Sequence, residues 1–562
     1  MSTIIGFNLG VHNANVALIQ DGVIKAVYDE ERFSNKRMKG ETINKSLDAL
    51  IKDCGVDLSK VDHFVTTTPF VFTDLNVITS QYRHKIQYYP HHYCHALGAL
   101  IFSGFHERNN VMVLTLDDGD FNIHNLKQGE IIDDKIYDWN LNTKNLTWWL
   151  KFKNRHNASA GSMNIYKNGE LHLIKEFNAN FSRLYFFGAT MMIYYYNLSG
   201  GNIEEKMMSM SAEGKYNDHV YRTFRNLCVF DKQTESFDNC IPDENKTGNW
   251  EHGRLHDTIL TALSEYPKED VAHSIQKCVE DSCIELIEFY QSKYNCKHIC
   301  VAGGFFANYR VNQSINEKLN FEEIFVMPAT GDHGIAIGAA LAKSIELNEY
   351  KFDSINHVFF GKSYTHENIR RFVKNRCMNY HDFTHDRIIE DIKSGKVIGI
   401  FREREEIGAK SLGNRSIIFD ATNVQTLTRF NQIMQRPTNM KFPMIVLGED
   451  VDNIIQNLRS KFAAQFGTIS FTVKSDWIGK IPSVVNTYDN TSVVQIVTDS
   501  HLHSLLNSYK LSTNIPVLAH TSFNSHCCPV VNTPLQAWEA LRDRLIDVLV
   551  LGDYIIYYDY RK

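Results

Sequence analysis

Two stretches of this sequence carry the same local pattern, and that repetition constrains the fold more than any other feature. Thr3–Asn8 reads as a strand, Asn15–Ile19 as a second, and an Asp21-Gly22 turn leads into a third, Val23–Tyr28. Asp-Gly between two apolar runs selects a two-residue hairpin, because both turn residues need positive φ. Further along, Val111–Leu116 reads as a buried strand ending in Asp117-Asp118-Gly119-Asp120, and a second hairpin, around Ser162–Ile165 and Leu171–Glu176, is divided by Asn168-Gly169. Helical patterns are appended to each unit, near Thr42–Cys54 and over 255–295. Phe64–Thr68 is a further short strand, and His298–Ala302 is a strand running into Gly303-Gly304. Ile335–Ile345 is an apolar helix just after Gly331-Asp332-His333-Gly334. The expectation is a duplicated α/β unit over residues 1–350, a connector over 351–375 within which polar and aromatic residues concentrate, and a second α/β domain over 376–562.

Composition narrows the class. A chain of 562 residues with 43% hydrophobic and 22% charged residues is an ordinary globular protein of several domains. The formal charge of −6 advertises no broad phosphate-tracking surface, although a local basic groove is compatible with it. The start, MSTIIGFNLG, has none of the layout of a secretory signal, and no run approaches membrane-spanning length. Eleven scattered cysteines without a CxxC pair argue against a disulfide framework or a zinc knuckle, so a cytoplasmic location is expected.

Several clusters carry chemistry. His91 and His95 in HHYCHA lie one helical turn apart, which presents two imidazoles on one face, a spacing suited to a divalent metal. Asp117 ends a buried strand, where a carboxylate needs a partner, and Asp332 sits between a strand and a helix. Two histidines and two aspartates make a mixed N/O site. Gly6–Asn13 leads from a strand into a small, polar turn, and Gly303-Gly304 lets a ligand approach backbone closely. Phe360-Gly361-Lys362-Ser363 lacks the upstream glycine of a P-loop and is set aside. In the second domain Arg402, Arg404, Lys410, Asn414, Arg415 and Ser416 cluster around glycines, a cradle for a small phosphorylated ligand, and Ser522 and Asn524 follow a buried strand. Cys527 and Cys528 lack a paired histidine pattern and are read as bystanders.

Taken in order, these pieces resemble the O-carbamoyltransferases of antibiotic and nodulation-factor biosynthesis. The resemblance rests on Asp29-Glu30-Glu31-Arg32-Phe33 with Lys36, HHYCHA at 91–96, LDDGD at 116–120, Glu205-Lys206-Met207-Met208, AGGFFAN at 302–308, GDHGIAIGAAL at 331–341, GAKSLGNRSI at 408–417, and TSFN at 521–524. It implies a duplicated actin-like ATPase fold followed by a YrdC-like α/β domain. It also implies ATP and carbamoyl phosphate as substrates: carbamoyl adenylate forms in the second domain and passes to the first, where an acceptor hydroxyl attacks it. By that resemblance His91, His95, Asp117 (Asp118 in an alternative register) and Asp332 hold a divalent metal, usually Fe2+, with Mg2+ a further candidate. Gly303, Gly304, Asn308, Lys206 and Gly331 fall at the nucleotide, and Asp117 and Lys206 also at the reacting centre. Arg404, Lys410, Asn414, Arg415, Ser416, Ser522 and Asn524 fall at carbamoyl phosphate and ATP. His12 lies where acceptor-site groups are placed, and its unperturbed pKa of about 6.5 suits a general base. Relatives often dimerise, so a homodimer fits.

Four positions depart from the family pattern, all in the second domain. Lys410 replaces an arginine; Met440-Lys441-Phe442-Pro443-Met444 replaces an arginine-proline-phenylalanine-alanine-proline run; Val493 replaces a strand arginine; and Cys528 replaces a glutamate. Fewer arginines predict weaker carbamoyl phosphate binding than in relatives, and a KM in the low-micromolar range would contradict this. Three other readings compete with this one. A tRNA threonylcarbamoyl-type enzyme fits poorly with an acidic chain. A hydrogenase-maturation enzyme would carry an acylphosphatase domain and CxxC fingers, which this sequence does not contain. A non-catalytic nucleotide-binding scaffold would not need the metal set. Aromatic residues Trp139, Trp148, Trp149, Phe152, Tyr216 and Trp250 would suit a sugar or nucleobase acceptor such as a hydroxymethylated pyrimidine, if they are platforms and not packing.

Overall fold

The computed structural model describes the chain apart from residues 11, 39, 41, 68–76, 122–157, 179–195, 197–202, 228, 239–262, 352–354, 356, 377, 437–439, 499, 526–527 and 559–562. Trp139, Trp148, Trp149, Phe152, Trp250 and Cys527 lie outside the described residues.

The repeat seen in the sequence is a repeat of topology. The first sheet contains β1 (Thr3–Asn8), β2 (Asn15–Gln20), β3 (Val23–Asp29), β4 (His63–Thr66) and β5 (Ile86–Tyr88), in the order β3-β2-β1-β4-β5. The second contains β6 (Val111–Phe121), β7 (Ala158–Lys167), β8 (Glu170–Asn178), β11 (His298–Ala302) and β12 (Glu323–Val326), in the order β8-β7-β6-β11-β12. A separate ribbon pairs β9 (Val229–Asp231) with β10 (Ser236–Asp238). In both sheets the first three strands form an antiparallel meander and the last two join in parallel. The fold is therefore duplicated α/β, with the actin-like strand order in each half. Both hairpins close with two residues at positive φ, Asp21 (54°) and Gly22 (75°) in one, Asn168 (55°) and Gly169 (85°) in the other, the turn whose twist matches the strands.

Two apolar helices, His91–Phe102 and Ile335–Glu346, lie between the sheets and bury almost every side chain. Small residues let them approach. A Cβ at Gly6 in β1 would sit 2.0 Å from the Ala336 carbonyl, and one at Gly338 would sit 2.2 Å from the Cys94 carbonyl. This close crossing places the N-terminal ends of both helices at one spot.

The stretch expected as a connector contains a helix, His366–Asn375, capped by Thr365. Beyond it come β13 (Asn379–Asp382), β14 (Ile398–Phe401), β15 (Arg415–Asp420), β16 (Met444–Leu447), β17 (Ser470–Thr472), β18 (Thr491–Val497), β19 (Val517–Ser522), β20 (Val548–Leu551) and β21 (Tyr554–Tyr557). They form one mixed sheet in the order β13-β21-β20-β14-β15-β19-β16-β18-β17. Its core is continuous with that of the second half of the duplicated unit, and Phe325 stacks on Phe462 at 5.7 Å. Among the described residues no helix is long and apolar enough to cross a membrane.

Candidate metal centre and active site

Each element that ends at the helix crossing contributes one or two side chains. His91 and His95 are the first and fifth residues of their helix, and their rings lie 4.7 Å apart, centroid to centroid. Asp117 follows the fully buried Leu116 on β6, and Gly304 N–H donates to its Oδ2 at 3.1 Å. Asp332 sits in the short turn Asp332–Gly334 leading into the second helix. His95 Nε2 lies 3.3 Å from Asp117 Oδ2 and 3.8 Å from Asp332 Oδ1. His91 Nε2 lies 3.8 Å from Asp117 Oδ2 and 3.7 Å from Asp332 Oδ1. Burial alone would raise the Asp117 carboxyl, but the His91 and His95 contacts outweigh it and hold it well below the usual carboxylate range.

The four side chains fit a single divalent ion. One donor atom from each lies within 4.8 Å of all the others, and the four His–Asp separations of 3.3–3.8 Å fall inside the limit of about 4 Å for ligands about 2 Å from a common centre. His95 Nε2 is buried and faces two carboxylates, at 3.3 and 3.8 Å, with no well-aligned hydrogen bond to either, an arrangement that suits a shared cation. Two imidazole nitrogens and two carboxylates suit iron or a similar first-row ion.

The surrounding residues fix this geometry. Asn15 donates to the Asp332 carbonyl at 2.6 Å and accepts from Ala336 N–H at 3.0 Å, so one side chain on β2 holds both ends of the Asp332 turn. Nothing in the spacing of Asn15 signals that role. His12 Nδ1 stands 3.7 Å from Asp332 Oδ2, on the rim of the cluster. Gly331 lies against Asn13, and Gly303 requires glycine: its φ is 99° and a Cβ would meet the Leu116 carbonyl at 2.0 Å. Asn308, expected at the nucleotide, is occupied otherwise. Its Oδ1 caps the helix Tyr309–Lys318, and it exchanges hydrogen bonds with Gln276 at 3.0 and 3.2 Å. Lys206 is partly buried on the helix Ile203–Met210, beside Glu205, whose carboxylate stands 3.7 Å from Lys410 Nζ.

In the second domain the structure redistributes the expected phosphate contacts. Arg415 is fully buried, stacked 3.8 Å from the Phe401 ring centroid, and donates to the carbonyls of Arg402 at 2.6 Å, Asn414 at 2.9 Å and Lys362 at 3.1 Å. Its guanidinium braces the loop through these carbonyls. Arg404 likewise donates to the carbonyls of Gly361 at 2.9 Å and Phe360 at 3.1 Å, and to that of Lys25. Asn414 donates to the Arg404 carbonyl at 2.7 Å, and Asn524 to those of Ser525 at 3.1 Å and Cys528 at 2.9 Å. Ser416 Oγ is buried between Gly413 N–H at 2.9 Å and His520 Nε2 at 2.8 Å. Ser522 Oγ accepts from Ser411 N–H at 3.0 Å, while the Ser411 hydroxyl is buried without a partner. Two of the expected cations are turned to side chains: Lys410, half exposed, stands beside Glu205, and Arg402 Nη2 donates to Asp553 Oδ1 at 3.0 Å. Sequence reasoning missed Glu406, whose Oε1 accepts from the N–H groups of Leu412 at 2.8 Å, Asn414 at 2.6 Å and Arg415 at 3.3 Å. The only signal was its place just before the glycine-spaced loop.

The carbamoyltransferase N-terminus family model matches residues 67–341, and the carbamoyltransferase C-terminus model matches residues 389–557. The chain belongs to the carbamoyltransferase family. This carbamoyltransferase is 23% identical to nodulation protein NolNO of Sinorhizobium fredii, over 98% of this chain and 79% of the relative. It is 26% identical to nodulation protein NolO of Bradyrhizobium diazoefficiens, over 51% of this chain and 54% of the relative. Among solved structures, HypF of T. kodakarensis covers 63% of this chain and 49% of its own, with 11% identity and a TM-score of 0.37.

Proposed function

We propose that this carbamoyltransferase hydrolyses carbamoyl phosphate to carbamate and inorganic phosphate in its C-terminal domain, adenylates the carbamate with ATP to give carbamoyl adenylate and pyrophosphate, and transfers the carbamoyl group to an acceptor hydroxyl beside His91, His95, Asp117 and Asp332. The observation that carries the reading is that buried four-residue cluster, built at the crossing of two helices and two strands. The four side chains would hold a divalent ion, with Fe2+ favoured, which when bound supplies Lewis acidity toward oxygens of the adenylate.

The remaining steps belong to the chain itself. Lys410, with the loop braced by Glu406 and Arg415, receives the anionic donor. The carbamoyl carbon is presented to the acceptor at the mouth of the cluster. His12, whose Nδ1 stands 3.7 Å from Asp332 Oδ2, takes the hydroxyl proton as the acceptor oxygen bonds to the carbamoyl carbon, and the carbon's bond to the bridging oxygen breaks, so that AMP leaves with that oxygen. The glycine turn at Gly303-Gly304, whose own N–H groups hold the Thr330 carbonyl and Asp117, lets the adenylate come close to backbone. The acceptor is a sugar, a small natural product or a hydroxymethylated pyrimidine.

Mass spectrometry of the protein with ATP, carbamoyl phosphate and Fe2+, without acceptor, tests the donor half. Appearance of pyrophosphate with carbamoyl adenylate is expected. ATP that binds and stays intact would contradict the reading and favour a non-catalytic nucleotide-binding scaffold.

A further inference from the structure

Arg32 belongs to none of the sites above, yet it is among the most completely buried charges in the molecule, with its side chain 2% exposed. It follows β3 and reaches into the C-terminal domain. Nη1 lies 2.6 Å from Glu405 Oε1, and Nη2 donates to the Gly408 carbonyl at 2.6 Å. Within its own half, Nε stands 3.8 Å from Asp29 Oδ2, and Asp29 Oδ1 stands 3.1 Å from His333 Nδ1. His333 is the residue after Asp332.

On the other side, Glu405 is followed by Glu406, which gathers the N–H groups of Leu412, Asn414 and Arg415. A second route runs through backbone. Gly408 has φ 94°, and a Cβ there would lie 2.9 Å from the Pro328 carbonyl and 3.0 Å from Ala329 Cα. The donor loop therefore rests directly on the segment leading into Thr330–Gly334. Ion pair and backbone contact join the same two loops.

A buried ion pair is a poor source of net stability, because desolvation offsets its attraction, and apolar contact of equal volume would join the domains as well. What Arg32 adds is direction. Its planar fork meets a carboxylate and a carbonyl together in one domain, and its Nε faces a carboxylate in the other.

We propose that Arg32 is a positioning residue which, with Asp29 and Glu405, couples the 330–334 loop of the metal cluster to the 408–416 loop, so that filling the first orders the second. The inference rests on the proposed metal site. Coupling of this kind is reciprocal and of modest size.

Hydrogen–deuterium exchange with Co2+ as the probe tests it, metal binding being read separately from the visible absorption of the bound ion. In the wild type, Co2+ slows exchange of the peptide spanning residues 408–415 by about fivefold or more. In Arg32→Lys, which keeps the charge and loses the fork, and in Glu405→Gln, which keeps an acceptor oxygen, Co2+ still binds and the slowing is lost. Glu405→Gln decides the matter if Arg32→Lys does not fold. Equal slowing in a folded variant and the wild type, or none in a wild type that binds Co2+, overturns the proposal. Absence of Co2+ absorption in the wild type overturns the metal site and this coupling together, and is recognised without the exchange data.

Discussion

Gly338 and Gly98 face each other's helices across the crossing that builds the cluster, and replacing them by alanine has opposite expected outcomes. A Cβ at Gly338 would lie 2.2 Å from the carbonyl of Cys94, which sits between His91 and His95. Real Cβ contacts start near 3.0 Å, so the helices must part by about 0.8 Å. The cluster spans only 4.8 Å, and the displaced helix carries both imidazoles while Asp332 stays with the other. Metal affinity should fall about tenfold to a hundredfold, as it does when a site's supporting shell is disturbed. Overpacking costs about 1–3 kcal/mol, partly offset by the higher helix propensity of alanine, so Gly338→Ala should remain folded. A Cβ at Gly98 would lie 4.0 Å from the Gly334 carbonyl, an ordinary contact, and Gly98→Ala should bind metal as the wild type does. Titration with Co2+ and thermal unfolding of both variants provide the comparison. Wild-type affinity in Gly338→Ala, or equal loss in both, would refute the geometric argument.

Other substitutions separate roles within the two sites. His12→Ala should leave formation of pyrophosphate and carbamoyl adenylate unchanged and slow transfer to a hydroxyl acceptor by about 10²–10⁴-fold; an unchanged transfer rate would remove His12 from the mechanism. Arg415→Met removes the donor to one buried and two partly buried carbonyls, so it should lower Tm, whereas Lys410→Ala should leave Tm in place and raise the KM for carbamoyl phosphate. The reverse pattern would return Arg415 to the ligand. Burial pushes His520 down to about 4, below its value in an unfolded chain. The unfolded state therefore binds more protons between pH 6.5 and 4, and stability is lost as pH falls through that window. The loss is about 2 kcal/mol by pH 5. His520→Gln should show a correspondingly smaller difference between urea unfolding at pH 7 and pH 5, and an identical difference would contradict the assignment.

The residues that sequence alone could place are those whose role follows from local pattern. Asp21-Gly22 and Asn168-Gly169 announce their hairpins because few other pairs tolerate positive φ twice. HxxxH fixes two imidazoles on one helix face whatever the surroundings. Arg404, Arg415 and Asn308 show where such reading stops. A cation beside glycines looks the same in sequence whether it faces a phosphate or a ring of backbone carbonyls, and only the path of the 402–416 loop decides. Asn15 and Arg32 act through partners more than 300 residues away, a separation that no local pattern encodes. Gly338 is one small residue in an apolar helix until the carbonyl of Cys94 is seen against it.

Anaerobic equilibrium titration of the purified chain with Fe2+, repeated for His95→Ala and Asp332→Asn, tests the central claim most directly. One ion per chain, with binding abolished or weakened by orders of magnitude in both variants, is the result predicted. Wild-type binding in both variants, or no binding in any of the three proteins, would contradict a metal-centred carbamoyl transfer at this cluster.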